Sequence, residues 1–208
     1  RLLAFRHPLL LASKDVVPLD LELTPGKRVL LVTGPNMGGK TVALKGVGLA
    51  CLMAATGFHL PAAAGTEVPI LDHVTADIGD EQSIENDLST FASHLRRWVE
   101  ATVHAGPGSL ALLDEIGAGT DPAEGAALAR AVLELLADGG GLVIATTHLG
   151  ALKRFGSRHP GVVNGSMRFD PATQRPEYRL DMGIPGQSRA VETARRMGMP
   201  ETMLARAV

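Results

Sequence analysis

Residues 34–41 read Gly-Pro-Asn-Met-Gly-Gly-Lys-Thr, a G-x-x-x-x-G-K-T spacing with a β-branched apolar run before it and a stretch of helix formers after it. No other segment restricts the fold so tightly. Arg28–Thr33 suits a buried parallel strand and Thr41–Ala55 suits a helix, so the glycines stand where strand turns into helix. Glycine lets successive backbone N–H groups converge there, the helix N-terminus adds partial positive charge, and Lys40 adds a mobile full charge. Such a cradle suits the phosphates of ATP. It would consist of Gly34, Pro35, Asn36, Met37, Gly38, Gly39, Lys40, Thr41 and Val42, with the Thr41 hydroxyl offered to Mg²⁺.

At 208 residues the chain is long enough for a substantial core and is read as one domain, 1–208. The net charge of −2 leaves no basic footprint for a nucleic-acid backbone on this segment. A single cysteine, Cys51, sits in an apolar helical stretch, which fits a buried structural thiol and a reducing cytoplasm. Gly46–Thr66 carries no formal charge, but Gly57, His59 and Pro61 interrupt it, so a core helix is expected rather than a membrane span. The chain opens at Arg1 without methionine and closes at Glu201–Val208 in what reads as a starting helix, as a piece of something longer would.

Strand and helix patterns alternate. Leu110–Leu113 and Leu142–Thr146 read as further buried parallel strands followed by helices, which predicts an α/β fold: a mostly parallel central sheet flanked by helices, with nucleotide at the carboxyl ends of the strands. Leu88, Phe91, Leu95, Trp98 and Val99 recur at helical spacing, and Trp98 is expected to pack in the core. From Val163 the pattern turns to alternation through Gly165, Met167 and Phe169, with a turn at Pro171–Pro176 and a return through Tyr178 and Leu180. This predicts a C-terminal β-hairpin. A final packed helix is expected over Ala190, Val191, Ala194 and Met197, stopped by Gly198.

Three further motifs carry chemistry. Leu110-Ala111-Leu112-Leu113-Asp114-Glu115 delivers two acids at a strand end, where Asp114 suits Mg²⁺ and Glu115 suits orienting or deprotonating an attacking water. Ala145-Thr146-Thr147-His148 ends another strand, and His148 is placed for the γ-phosphate or that water. Asp121, Pro122 and Glu124 form a helix start, with Asp121 as N-cap, and two glycines before it leave a loop from which a partner could sense the nucleotide.

Together the G-P-N-M-G-G-K-T loop, L-L-D-E-I-G-A-G-T-D-P-A-E-G-A-A-L-A, the T-T-H ending and the L-S-T-F at Leu88–Phe91 resemble the ATPase domain of the MutS family. The G-A-G-T-D-P form and E-Q-S-I-E-N-D-L-S-T-F from Glu81 are more similar to its MutS-II branch than to the mismatch-repair branch. Val42 departs from the latter, where a second hydroxyl residue commonly follows the loop. The resemblance spans nearly the whole chain. It implies a P-loop NTPase of the ABC-ATPase-like type that hydrolyses ATP as a homodimer with composite sites. Ser89 would then reach the partner's γ-phosphate, with Thr90 and Asp121 on the same trans interface.

For the parent protein the resemblance implies a clamp on branched or unusual DNA, suppression of recombination, a link to stalled ribosomes and their rRNA in some members, and in many a C-terminal Smr nuclease domain. No membrane partner is implied. Two alternatives stay open: a nucleotide-gated dimerisation module with negligible turnover in isolation, and another ABC-type ATPase. Adenine contacts are sought first at His7–Val17.

Overall fold

A computed structural model of the chain describes residues 1–12, 16–35, 38–79, 90–170, 172–173, 175–186, 194–195 and 197–206. Two short antiparallel strands, β1 (Leu2–Phe5) and β2 (Leu19–Leu21), precede the main sheet. That sheet holds β3 (Val29–Thr33), β4 (His73–Asp77), β5 (Ser109–Leu113), β6 (Leu142–Thr146), β7 (Val162–Asp170) and β8 (Arg175–Met182) in the order β4-β5-β6-β3-β7-β8. All neighbours are parallel except β7 and β8, which form the expected hairpin.

β3 is buried along its whole length, and so is β5. Their residues alternate between two cores. Val29, Leu31, Ala111, Leu113, Val143 and Ala145 face one layer, made by α2 (Thr90–Val103), α3 (Pro122–Asp138) and α4 (Gly150–Arg158). Leu30, Val32, Leu110, Leu112 and Ile144 face the other, made by α1 (Lys40–Ala55) and the β1–β2 pair. A sheet covered on both faces has no polar side, which is why these strands read as continuous apolar runs. Cys51 lies in the second core, and burial raises its thiol pKa, as an inert packing thiol requires. No helix among the described residues is long and apolar enough to cross a membrane, and α1 ends at Ala55 inside the uncharged stretch.

Several expectations need correction. Trp98 is core, but Val99 is 60% exposed and stands off the apolar stripe of α2; Leu88 lies outside the described residues. The hairpin turn is shorter than Pro171–Pro176, because β8 already begins at Arg175 and Pro176 pairs with Phe169. Proline is tolerated there since β8 is the sheet edge and owes no ladder bond on its outer side. Met197 is 80% exposed, so it does not pack as a final core helix would, and most of that predicted helix lies outside the described residues. The chain instead buries Leu204 in a short helix at Glu201–Leu204.

β4, which the sequence reading leaves without an assignment, extends the sheet beyond β5. Its buried Asp77 accepts hydrogen bonds from Trp98 Nε1 at 2.9 Å and pairs with His94 Nδ1 at 2.8 Å. A buried carboxylate needs such partners, and here they lock α2 to the sheet edge.

Candidate functional site

The sheet order brings the carboxyl ends of β5, β6 and β3 side by side. Lys40, Thr41, Asp114, Glu115 and Thr146 thus meet although they are far apart in the chain.

The loop after β3 is shaped by glycine. Gly34 and Gly39 have φ of 130° and 87°, a region that L side chains rarely adopt, and Gly39 caps α1 in the left-handed conformation. Gly38 N donates to Pro35 O at 2.9 Å, closing the turn, while a Cβ on Gly38 would come within 3.2 Å of the Met167 Cβ. Asn36 and Met37 lie outside the described residues. Lys40 opens α1 with only 3% of its surface exposed, and its Nζ donates to Gly34 O at 2.9 Å and Pro35 O at 3.1 Å. Burial lowers the Lys40 pKa; Glu115 and Asp114 oppose that shift and Lys153 adds to it. Lys40 therefore sits over the loop within the field of both acids.

Asp114 is the hub. Its Oδ2 accepts from Thr41 Oγ1 at 2.7 Å, and its Oδ1 accepts from Thr146 Oγ1. Its N–H donates to Asp77 O at 2.8 Å, which anchors it to β4. Thr41 Oγ1 and an Asp114 carboxylate oxygen are hard donors held together, the chemistry that Mg²⁺ selects.

Glu115, by contrast, is exposed, and its φ of 49° lies in the left-handed region. Such a backbone costs a non-glycine residue roughly 1–3 kcal/mol and persists only when neighbours impose it. Here Glu115 N donates to Thr146 Oγ1 at 2.8 Å and Ala118 N donates to Glu115 O at 3.0 Å. Thr146, fully buried, thus holds both acids at once. Hydroxyls at the end of β6 are part of the T-T-H signal, but nothing local singles out Thr146 for this double role.

His148 is exposed just beyond β6. Thr147 before it is anchored through N–H to Val32 O at 3.1 Å and through Oγ1 to Ile116 O at 3.2 Å. Asp121 caps α3 as expected, accepting from Ala123 N at 2.9 Å and Glu124 N at 3.1 Å. Ser89 lies outside the described residues, and Thr90 is the first residue of α2.

The turn from Glu115 into α3 depends on Gly125, where an added Cβ would fall 2.1 Å from Gly117 O. Alanine normally favours a helix interior by about 1 kcal/mol over glycine. Gly125→Ala is nevertheless expected to destabilise the fold by about 1–3 kcal/mol in denaturant titration, because the backbone must move. A gain in stability would show that the turn yields freely.

Beside Gly39 opens a cavity of about 320 Å³, lined among others by His7, Val16, Val17, Val42, Met167 and Tyr178. Tyr178, the chain's single tyrosine, has a φ of 55° next to a register shift in the β7–β8 pairing. The irregularity breaks simple alternation and brings the ring to the loop, where a Cβ on Gly39 would lie 2.9 Å from Tyr178 Cδ1. Of the lining residues, His7, Val16 and Val17 fall in the His7–Val17 stretch, and Gly39 and Val42 in the loop cradle.

MutS domain V matches residues 30–208. A protein named Endonuclease MutS2 is 56% identical over 100% of this chain in Thermomicrobium roseum, 55% over 97% in Pelotomaculum thermopropionicum and 51% over 100% in Geobacillus kaustophilus. The chain spans 26% of the length of each of these relatives.

Proposed function

The chain belongs to the MutS domain V family, and on that premise we propose that it is a Mg²⁺-dependent ATPase domain, a P-loop NTPase of the ABC-ATPase-like type. The observation that carries this reading is the Thr41–Asp114 contact of 2.7 Å, which joins the loop hydroxyl to the first strand-end acid beside a buried lysine. ATP phosphates are assigned to the N–H groups and lysine of residues 34–42, and adenine to the cavity beside Gly39, against Tyr178 and Val42. Thr41 and Asp114 would hold Mg²⁺, which when bound neutralises phosphate charge. Glu115 accepts the proton of the attacking water or orients it, and His148 stands on the γ-phosphate side.

ATP-driven homodimerisation, with Ser89, Thr90 and Asp121 completing the partner's site, is proposed from the MutS-II resemblance. So is control of a clamp on branched or unusual DNA, or on stalled ribosomes, by the parent protein. The endonuclease in the relatives' name is assigned to parent regions outside these residues.

Thr41→Val tests the carrying observation. Loss of this hydroxyl is expected to remove about tenfold of the ATP affinity that Mg²⁺ confers, one hydrogen bond's worth. Titrating labelled ATP with Mg²⁺ and with a chelator measures it, and a full Mg²⁺ effect in the variant would take Thr41 out of the metal site.

A further inference from the structure

Lys153, in the first turns of α4, belongs to none of the motifs above. Its Nζ donates to Gly186 O at 2.8 Å. Gly186 N in turn donates to Thr33 Oγ1, the last residue of β3, at 2.6 Å, and Thr33 Oγ1 donates to Gly165 O at 3.0 Å. A Cβ on Gly186 would lie 2.9 Å from Thr33 Oγ1 and 3.0 Å from Gly34 N, so this glycine backs directly onto the start of the phosphate-loop candidate. The Lys153 backbone is held as well, since its carbonyl accepts from Asn164 Nδ2 at 3.1 Å. Asn164 O accepts from Gly183 N at 2.7 Å, at the other end of the same segment.

We propose that Lys153 is a positioning residue that braces the start of α4, and with it His148, against the Gly183–Gly186 segment behind Gly34. The inference rests on the ATPase reading above. His148 lies between two anchors: the Thr147 hydroxyl bond to Ile116 next to Glu115, and the Lys153 bond to Gly186. Lys153 N donates to Leu149 O at 3.3 Å, so little chain separates the braced residue from His148. The cation is half-buried, and burial lowers its pKa, a cost that a mere surface lysine avoids. The brace ties an element that follows β6 to the loop that follows β3. It therefore sets the spacing between the groups that would hold the phosphates and the imidazole that would meet the γ-phosphate, and catalysis is sensitive to such spacing.

The test uses the full-length protein and steady-state ATP hydrolysis. Lys153→Met is expected to lower kcat by about 10²-fold while KM for ATP stays within about threefold, the signature of lost positioning rather than lost binding. Lys153→Arg, which retains a cationic donor, should restore part of kcat. On a His148→Ala background Lys153→Met should cost little more, because the brace then has nothing to position. Gly186→Ala should do the opposite and weaken ATP binding, by pushing on Thr33 and Gly34.

Wild-type kcat in Lys153→Met, or full additivity with His148→Ala, overturns the brace and leaves the ATPase reading standing. A wild-type protein that neither binds nor hydrolyses ATP overturns both. Should Lys153→Met fail to fold, Lys153→Gln is read by the same criteria.

Discussion

Glu115→Gln is expected to leave ATP bound and to slow its hydrolysis by about 10²–10⁴-fold, the usual worth of a positioned general base. Glutamine keeps the size of the side chain and its hydrogen-bonding reach but has no basic carboxylate. The backbone bonds that hold this residue at φ 49°, from its own N–H to Thr146 and from Ala118 to its carbonyl, do not involve the side chain. Folding should therefore be unaffected, and the loss should fall on kcat alone. Single-turnover hydrolysis measures it; a wild-type rate would remove Glu115 from the mechanism. The same variant, trapped with ATP and Mg²⁺, also reports on pairing. Sedimentation is expected to show dimers with ATP and monomers with ADP, and equal sedimentation in both would count against composite sites closed by ATP.

Lys40→Ala is expected to cost about 10²-fold or more in ATP affinity, since charge-assisted hydrogen bonds to phosphate contribute roughly 1.5–3 kcal/mol each. Its effect on stability without nucleotide should be small. The Lys40 ammonium is buried and burial disfavours its charge, so the bonds to Gly34 O and Pro35 O are offset by desolvation. The clean readout is thermal unfolding with and without ATP. A ligand at 100 times its Kd stabilises the native state by about 2.7 kcal/mol, which the wild type should show and the variant should lack. Intact affinity in the variant would refute the assignment of residues 34–41 as the phosphate loop.

The parts of this site that could be read in the sequence are those whose physics is local. A glycine loop between strand and helix, two acids at the end of an apolar run and an Asp-Pro helix start each announce themselves within ten residues. β4 did not, because His73-Val-Thr-Ala-Asp is short and half polar, and Thr75 and Asp77 are buried only through the partners that fold over them. The alternation around Tyr178 gives no sign of its place at the loop, since a register shift depends on how two strands pair and not on either alone. In the sequence Thr146 is one hydroxyl among several, because its grip on Asp114 and Glu115 spans 32 and 31 residues.

Local sequence thus carried β3, β5, the loop and the acids, because backbone conformation and apolar periodicity are set by near neighbours, but not β4 or the packing of the last helix. The folded chain brought particular strand ends together. It did so by placing β6 and β7 on either side of β3, and only that order lets Thr41 reach Asp114 across 73 residues and Gly186 reach Thr33 across 153. The hydrogen bonds at the strand ends follow from that order, which no single segment of the chain carries.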